Sequence, residues 1–279
     1  MHHKQVVNGF IEHILISRVQ SHVAYLVIGC FLVKTKRISI LLSILVVLTV
    51  LGSTFAFSPV FANPVCGATI TANTTLTANI GPCSGTGLTI GKSGITLNCA
   101  GHTISGSGDF GILLFGVSKV TVENCKVTGF LTGIAVEDGS SNTLTKNTAN
   151  NNKEVSGSGG DGFFLYDASS TTLSGNTANS NTVFGFELYD SSGNTLSGNT
   201  ANSNGVDGFS LLRSSKSNTL TGNTANNNKQ YGYLDTSTSS SPGIPHWDTA
   251  NSYMSDKATG NVSGLAAGNP NIATATSPF

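Results

Sequence analysis

The chain has 279 residues, of which only 10% are charged, and 33 of them are Gly. Residues 63–279 hold nine basic and thirteen acidic residues, a net charge of about −4. This balance argues against nucleic acid as a partner, because phosphate binding needs a basic surface. Disorder of the highly charged type is excluded too. Low charge with many Asn, Ser, Thr and Gly residues suits a structure with many turns and buried polar ladders.

The first 62 residues have the features of an export signal. Three basic residues between Lys34 and Arg37 precede an apolar run that begins at Ile38, and small residues follow up to Ala62. A basic region, an apolar core and a Val-x-Ala end predict a secretory signal peptide cleaved after Ala62. The alternative is an uncleaved anchor, since residues 38–57 are long enough to span a bilayer. We expect membrane contact only through this segment, and the remaining chain to be secreted or at the cell surface.

Four cysteines follow the predicted cleavage site, and an even number in an exported chain permits disulfides. Cys66 and Cys83 flank the first segment after the signal, so we expect them to pair and pin an N-terminal cap. Cys99 and Cys125 fall on adjacent coils of the repeat described next, within disulfide range. Side chains in register point the same way, however, so a strained bond and a stacked pair of buried thiols are both open interpretations.

An internal repeat of about 23 residues dominates the second half of the chain. Four segments align without gaps: SNTLTKNTANNN from Ser141, STTLSGNTANSN from Ser170, GNTLSGNTANSN from Gly193 and SNTLTGNTANNN from Ser217. A second element, which begins with Gly, lies between them. Apolar and polar residues alternate in both elements, with turns at Gly, Asn or Ser, and this pattern predicts short strands. One such coil corresponds to one turn of a β-helix, with neighbouring coils about 4.8 Å apart.

One Asn recurs at the same position of each repeat, at Asn147, Asn176, Asn199 and Asn223. If the coils stack in register, each side-chain amide can bond to the next and form an Asn ladder. A satisfied polar column is tolerated inside a protein, whereas an unsatisfied one is costly. We therefore interpret these residues as structural.

The chain also resembles a known family. The matching stretches are CGATI from Cys66, TLTANIGPC from Thr75, GLTIGKSGITLNCAGHTISGSG from Gly87 and VTVENCKVTGF from Val120. They resemble the opening of secreted right-handed parallel β-helix proteins, and the SxNTLxxNTAxxN coils are similar to NosD-type and carbohydrate-binding/sugar-hydrolase (CASH) repeats. Relatives of this kind include pectate lyases, polygalacturonases, alginate epimerases and non-catalytic surface proteins. We expect no copper site, since residues 63–279 lack a Met/His/Cys cluster.

The predicted fold class is therefore all-β, a single-stranded right-handed parallel β-helix of about seven coils. The chain is expected to divide into four parts. These are an N-terminal extension with the signal or anchor (1–62), a cap with the first coil (63–94), the repeats (95–238) and a C-terminal cap or tail (239–279).

The fifth position after the repeated Gly holds Asp138, Asp167 and Asp190, followed by Arg213. Three carboxylates about 5 Å apart in consecutive coils would repel by roughly 1–3 kcal/mol per neighbouring pair. A bound cation, a shared proton, hydrogen bonds or splayed side chains must offset this repulsion. The functional interpretation is a Ca²⁺ site or the catalytic carboxylates of a sugar-cleaving enzyme. The interpretation we favour is that each Asp caps its turn by accepting from nearby Ser N–H groups.

Aromatic and acidic residues alternate along the neighbouring outward positions. The fourth position after the Gly holds Phe115, Glu137, Tyr166 and Tyr189, and the second holds Phe164 and Glu187. Exposed rings can pack on the apolar face of a sugar while carboxylates accept from its hydroxyls, although aromatic residues also simply favour β surfaces. We predict a cell-surface or extracellular protein that binds a polysaccharide or surface glycan without catalysis. The alternatives are a polysaccharide lyase, hydrolase or epimerase using the three Asp residues, and a structural envelope component.

Overall fold

The computed structural model describes residues 62–237 and 251–267, which form short strands joined by turns. All 21 strands pair in parallel with the equivalent strand of the neighbouring coil, and they assemble into three sheets. Sheet A contains β1 (Ala68–Ile70), β4 (Leu88–Ile90), β7 (Phe110–Phe115), β10 (Thr132–Glu137), β13 (Asp161–Tyr166), β15 (Phe186–Tyr189), β17 (Phe209–Leu212), β19 (Tyr231–Asp235) and β21 (Gly264–Ala267).

Two shorter-stranded sheets complete each coil. Sheet B contains β2 (Thr74–Thr75), β5 (Thr96–Asn98), β8 (Thr121–Glu123), β11 (Thr143–Thr145), β14 (Thr172–Ser174), β16 (Thr195–Ser197), β18 (Thr219–Thr221) and β20 (Ser252–Met254). Sheet C contains β3 (Ile80–Cys83), β6 (Thr103–Gly106), β9 (Lys126–Thr128) and β12 (Thr148–Asn150). Later coils continue sheet C as single bridges, such as Thr177 with Thr200. The predicted fold class, an all-β right-handed parallel β-helix of about seven turns, is confirmed.

The interior is a set of apolar columns that run along the helix axis. Alternation along each strand of sheet A turns the first and third residues after the Gly inward, and these positions are fully buried. Phe163, Phe186, Phe209 and Tyr233 stack nearly parallel, with ring centroids 4.7, 4.8 and 5.0 Å apart. Parallel in-register pairing forces this arrangement, because identical positions in neighbouring coils lie one strand spacing apart.

Buried Asn side chains form three ladders, whereas the sequence analysis interpreted only one. The Asn147 ladder continues through Asn176, Asn199 and Asn223, and each amide nitrogen donates to the oxygen of the next at 3.0–3.2 Å. Each oxygen also accepts the backbone N–H of the preceding Asn. The two further ladders are Asn194–Asn218–Asn251 and Asn152–Asn181–Asn204–Asn228–Asn261. These bonds satisfy backbone groups at the corners, where the sheets are interrupted.

Asp256 occupies the last position of the Asn147 ladder. Its Oδ1 accepts from the backbone and side-chain nitrogens of Asn223 at 2.7 and 2.8 Å, as an Asn oxygen does in the other coils. Its Oδ2 therefore takes the place of an amide nitrogen, and this atom is buried with no hydrogen-bond partner. Burial raises the pKa of Asp256, although the two bonds from Asn223 lower it.

The free energy of unfolding of the variant Asp256→Asn is expected to be about 1–2 kcal/mol higher than that of the parent at pH 7. The Asn side chain restores the amide nitrogen, which the other coils have as a donor at this position. The raised pKa means that ionisation is unfavourable in the folded state. This penalty is therefore absent below the ordinary Asp pKa and grows above it. Denaturant unfolding at pH 3 and pH 7 measures the difference, with the exposed Asp109→Asn as the control. A gain of equal size at both pH values would contradict this account.

The structure contains two disulfides. Cys66 and Cys83 bond with Cα atoms 5.5 Å apart, beside the first coil. Cys99 and Cys125 bond with Cα atoms 4.7 Å apart. The register pairs Leu97 with Val122, so Cys99 lies two residues beyond its paired strand position and Cys125 three. The two cysteines are therefore one residue out of register, and of the two open interpretations the structure contains the bond rather than a pair of thiols.

Part of the predicted C-terminal cap or tail (239–279) continues two of the sheets. Residues 251–267 add β20 to sheet B beside β18, and β21 to sheet A beside β19. The boundary at residue 238 was placed where the regular Gly element ends. The signal peptide or anchor predicted before Ala62, with its membrane contact, lies outside the described residues. Within those residues, none belongs to a helix long and apolar enough to cross a membrane.

Candidate functional site: the outer face of sheet A

Two columns of side chains point outward from sheet A. The strand register aligns the second positions after the Gly with one another, and likewise the fourth positions. The column of second positions contains Leu113, Ala135, Phe164, Glu187, Ser210 and Leu234. The column of fourth positions, called the outer column, contains Phe115, Glu137, Tyr166, Tyr189 and Leu212. All six residues that the sequence analysis proposed for glycan binding therefore lie on one face.

The aromatic residues of this face are not equally accessible. Tyr166 and Tyr189 stack with centroids 5.7 Å apart, and Phe164 lies 6.1 Å from Tyr166 at a tilt. The guanidinium of Arg213 lies 4.8 Å from the centroid of Tyr189, in the following coil. Neighbours from both adjacent coils therefore cover the two faces of Tyr189. Tyr166 and Phe115 are 43% and 57% exposed, so these two rings offer surface to a ligand.

A group of buried carboxyls lies along the edge of sheet A at which the chain enters each strand, called the entry edge. Asp161 and Asp207 both stand immediately before the repeated Gly, two coils apart, and both are buried. The Asp161 carboxylate accepts the backbone N–H of Phe184 at 3.1 Å, and Asp207 accepts that of Tyr231 at 2.8 Å. The second oxygen of Asp207 and the hydroxyl of Ser210 are buried without a hydrogen-bond partner. Ser210 pairs in register with Glu187.

These carboxyls titrate closer to neutrality than ordinary acids. Burial, with a smaller contribution from the charge of Asp161, raises the pKa of Glu187 to about 8. Burial also raises the pKa of Asp161 and that of Asp207 to about 6, although a backbone N–H bond to each lowers it. The pKa of Glu137 is raised by burial first and by the charge of Asp138 second. At pH 7 the face thus holds ionised and protonated carboxyls side by side.

The variant Glu187→Gln is expected to unfold with a free energy about 1–3 kcal/mol higher than the parent at pH 8, a range reduced for partial solvent screening. Because the folded-state pKa is raised, the parent loses stability as the pH rises from the ordinary Glu pKa towards 8. Below about pH 4.5 both states bind the proton, so the two proteins should converge there. Denaturant unfolding at pH 4.5 and pH 8 measures this, and a parent that is no less stable than the variant at pH 8 would contradict it.

A short insertion in the repeat lies next to Asp161, one of these buried carboxyls. Residues 153–160 form a loop with an antiparallel bridge between Val155 and Ser158. The loop is held at the entry edge by bonds from Glu154 N–H to the hydroxyl of Thr182, and from Gly160 N–H to the carbonyl of Leu131. It also brings the charge of Glu154 close enough to contribute to the raised pKa of Asp161.

Asp161 and Asp207 are not among the site residues predicted from the sequence. Both follow a simple signal, an acid directly before the Gly, in GGDGFF and GVDGFS. The alternation of inward and outward positions begins after the Gly, so it makes no prediction for these two residues, which precede it. Thr132 takes the same position in β10, and the structure places all three in buried positions.

The column of Asp138, Asp167 and Asp190 lies at the turn that ends each strand of sheet A. Each has a positive φ, between 47° and 53°, as does Arg213 at 54°. Asp190 accepts the backbone N–H of Ser214 in the next coil at 3.1 Å. Asp and Asn are the side chains that tolerate this backbone conformation best after Gly. Among the described residues, no group of three or more His, Cys, Asp or Glu is placed to hold a metal ion, and the Ca²⁺ interpretation stays a prediction.

Three parallel sheets wound around one core define the protein as a β-solenoid. Residues 52–181 and 86–244 match the family model described as right handed beta helix region, so the chain belongs to that family. No curated protein matches the chain in sequence.

Several solved structures share the fold. The Azotobacter vinelandii mannuronan C-5 epimerase AlgE4 A-module is 14% identical, with 72% of this chain and 57% of that one covered and a TM-score of 0.54. The periplasmic alginate epimerase AlgG is 17% identical, with 70% and 49% covered and a TM-score of 0.50. Pectate lyase Pel9A is 15% identical, with 78% and 74% covered and a TM-score of 0.46. The chain spans about half the length of the two epimerase structures.

Proposed function

We propose that this chain is an exported protein that binds polysaccharide along the outer face of sheet A without cleaving it. The observation that carries the proposal is the outer column, in which the exposed rings of Phe115 and Tyr166 lie on either side of the half-buried Glu137. An aromatic ring offers a flat apolar surface with little conformational freedom to lose, and a carboxyl beside it can bond to hydroxyls. The NosD-type or CASH subtype remains a prediction.

Export is supported by two features of the chain. Two disulfides are typical of proteins that fold outside a reducing cytoplasm. The predicted signal peptide provides the route, and AlgG, which shares the fold, is described as periplasmic. A protein outside the cytoplasm meets polysaccharides of the envelope and the medium, which is consistent with the proposed ligand.

A second candidate function is a carbohydrate-active enzyme, and the buried carboxyls favour it. A protonated Glu187 beside an ionised Asp161 would supply a general acid and a general base from neighbouring coils. Two structures with this fold are named as epimerases of alginate or mannuronan. We prefer this pair to the column of Asp138, Asp167 and Asp190, since those three residues have positive φ at turns and Asp190 accepts a backbone N–H there.

The two functions are separated by one screen of the exported full-length protein against a polysaccharide panel, with EDTA and with Ca²⁺. The assay measures retained glycan together with unsaturated and reducing-end products, and NMR of the glycan detects epimerisation. We expect retention without any product. Product formation that is lost in Glu187→Gln and in Asp161→Asn, while both variants stay folded, would establish the enzyme instead. The absence of both retention and product would favour the structural envelope role.

A further inference from the structure

On the outer face of sheet A, the surface over Glu137 between the rings of Phe115 and Tyr166 is named the β10 slot. In the two outward columns, β7 contributes Leu113 and Phe115, and β13 contributes Phe164 and Tyr166. Between them β10 contributes the small Ala135 and Glu137. Ala135 is fully buried, so within β10 only Glu137 lies at the surface between these two pairs. The walls stand two strand spacings apart, roughly 10 Å.

The two wall rings are the accessible aromatic surfaces of the columns. Phe115 is 57% exposed and Tyr166 is 43% exposed. Tyr166 stacks on Tyr189 with one face, which leaves its other face directed towards β10. Tyr189 itself is covered by Tyr166 on one side and by Arg213 on the other. The site for a flat ligand is therefore on the β10 side of Tyr166.

The charge of this face limits what can enter. The nine strands of sheet A contain no Lys or Arg, and the acids of the two outward columns are Glu137 and Glu187. Asp138 adjoins the slot at the end of β10. Two bases stand at the fifth position after the Gly. Lys92 follows β4, two coils from β10, and Arg213 follows β17, three coils from β10, where it packs on Tyr189. A polyanion bound across the slot would meet the acidic side chains of Glu137 and Asp138, which have no base at the equivalent position of either adjacent coil, at a separation shorter than the Debye length.

We propose that the β10 slot holds one sugar unit of an uncharged polysaccharide, with its ring between Phe115 and Tyr166 and its hydroxyls bonded to Glu137. This inference rests on the proposed polysaccharide binding and names its ligand class. It also separates this chain from the structures named as alginate or mannuronan epimerases, because those names refer to polyuronates or their derivatives. Charge complementarity alone would not direct such an acidic polymer to this face.

The test uses the exported full-length protein and soluble oligosaccharides as probes. The uncharged probes are β-glucan, mannan and xylan hexamers, and the charged probes are mannuronate and galacturonate hexamers. Isothermal titration calorimetry gives the affinities, with EDTA and with Ca²⁺. We expect at least one uncharged probe to bind. Phe115→Ala and Tyr166→Ala should each weaken that binding about tenfold or more, because each removes one stacking surface.

Val155→Ala is the matched control. Val155 is 58% exposed, as Phe115 is, but it lies on the insertion loop outside the slot, so its loss should leave the affinity unchanged. Thermal unfolding confirms that the variants keep the fold. A charge reversal, Glu137→Lys, should raise the affinity for the charged hexamers at low ionic strength.

Each result has one meaning. Tighter binding of a uronate hexamer than of any uncharged probe, in either buffer, overturns the inference but leaves polysaccharide binding intact. Binding of an uncharged probe that is unaffected by Phe115→Ala and Tyr166→Ala overturns the slot. If no probe or polysaccharide of the panel is retained, both the inference and the proposed function fail.

Discussion

Replacing Asn199 by Ala is expected to lower the free energy of unfolding by about 3–5 kcal/mol, because it leaves several buried groups without partners. The Asn199 amide nitrogen donates to the carbonyl of Leu173 and to Asn223 Oδ1, both at 3.0 Å. Its oxygen accepts from the backbone and side-chain nitrogens of Asn176 at 2.9 and 3.0 Å. The side chain is 1% exposed, so water cannot replace these bonds.

The control for this variant is Thr195→Ala, four residues earlier in the same coil. Thr195 lies on β16 with its side chain exposed, and its loss should change stability by less than about 0.5 kcal/mol. Denaturant unfolding of both variants measures the contrast. A loss below about 1 kcal/mol for Asn199→Ala would mean that the ladder does not stabilise the corner as inferred.

The second large effect is expected for Phe186→Ala, which should cost about 3–5 kcal/mol. Phe186 is fully buried and stacks between Phe163 at 4.7 Å and Phe209 at 4.8 Å. Its removal leaves a cavity that both neighbouring rings border. The parallel backbones on either side are fixed by ladder hydrogen bonds, so the site has little freedom to collapse.

Phe115→Ala serves as the control of the same residue type. Phe115 is 57% exposed on the outer face, so its loss should shift the free energy of unfolding by under about 1 kcal/mol while it weakens ligand binding. Thermal and denaturant unfolding distinguish the two variants. Equal losses for Phe186→Ala and Phe115→Ala would show that the stacked interior column has no special role.

The two sets of aromatic residues therefore have separate tasks. The inward column of Phe163, Phe186, Phe209 and Tyr233 holds successive coils together. The outward rings of Phe115 and Tyr166 are left for a ligand. A strand turns successive side chains to opposite faces, which lets one short segment such as GFFLY serve both purposes.

Part of the last coil could have been recognised in the sequence. Residues 251–261, NSYMSDKATGN, repeat the spacing of NTLTGNTANNN from Asn218, with Tyr253 in the Leu column and Ala258 in the Ala column. Asp256 stands where the other coils have Asn, and this substitution weakened the match. The pairing of β20 with β18 depends on the pattern of buried positions, which the degenerate copy preserves.

The two additional Asn ladders were also present in the repeated letters. Asn194, Asn218 and Asn251 share one position, and Asn181, Asn204 and Asn228 share another. Recurrence alone could not establish that they are buried, because Asn is equally common in exposed turns. Whether an Asn is buried depends on the shape of the corner at which it lies, and that shape follows from how the three sheets meet.

By itself, the sequence determined the β-helix, the inward and outward columns and the face that carries the aromatic residues. These follow from a period of two along each strand and a repeat of about 23 residues, both local properties of the chain. Only the tertiary structure decided which carboxyls are buried together, which ring of a stacked pair stays open and how Cys99 meets Cys125. Burial and pKa depend on neighbours one or more coils away and on the insertion at residues 153–160, and no local pattern specifies those contacts.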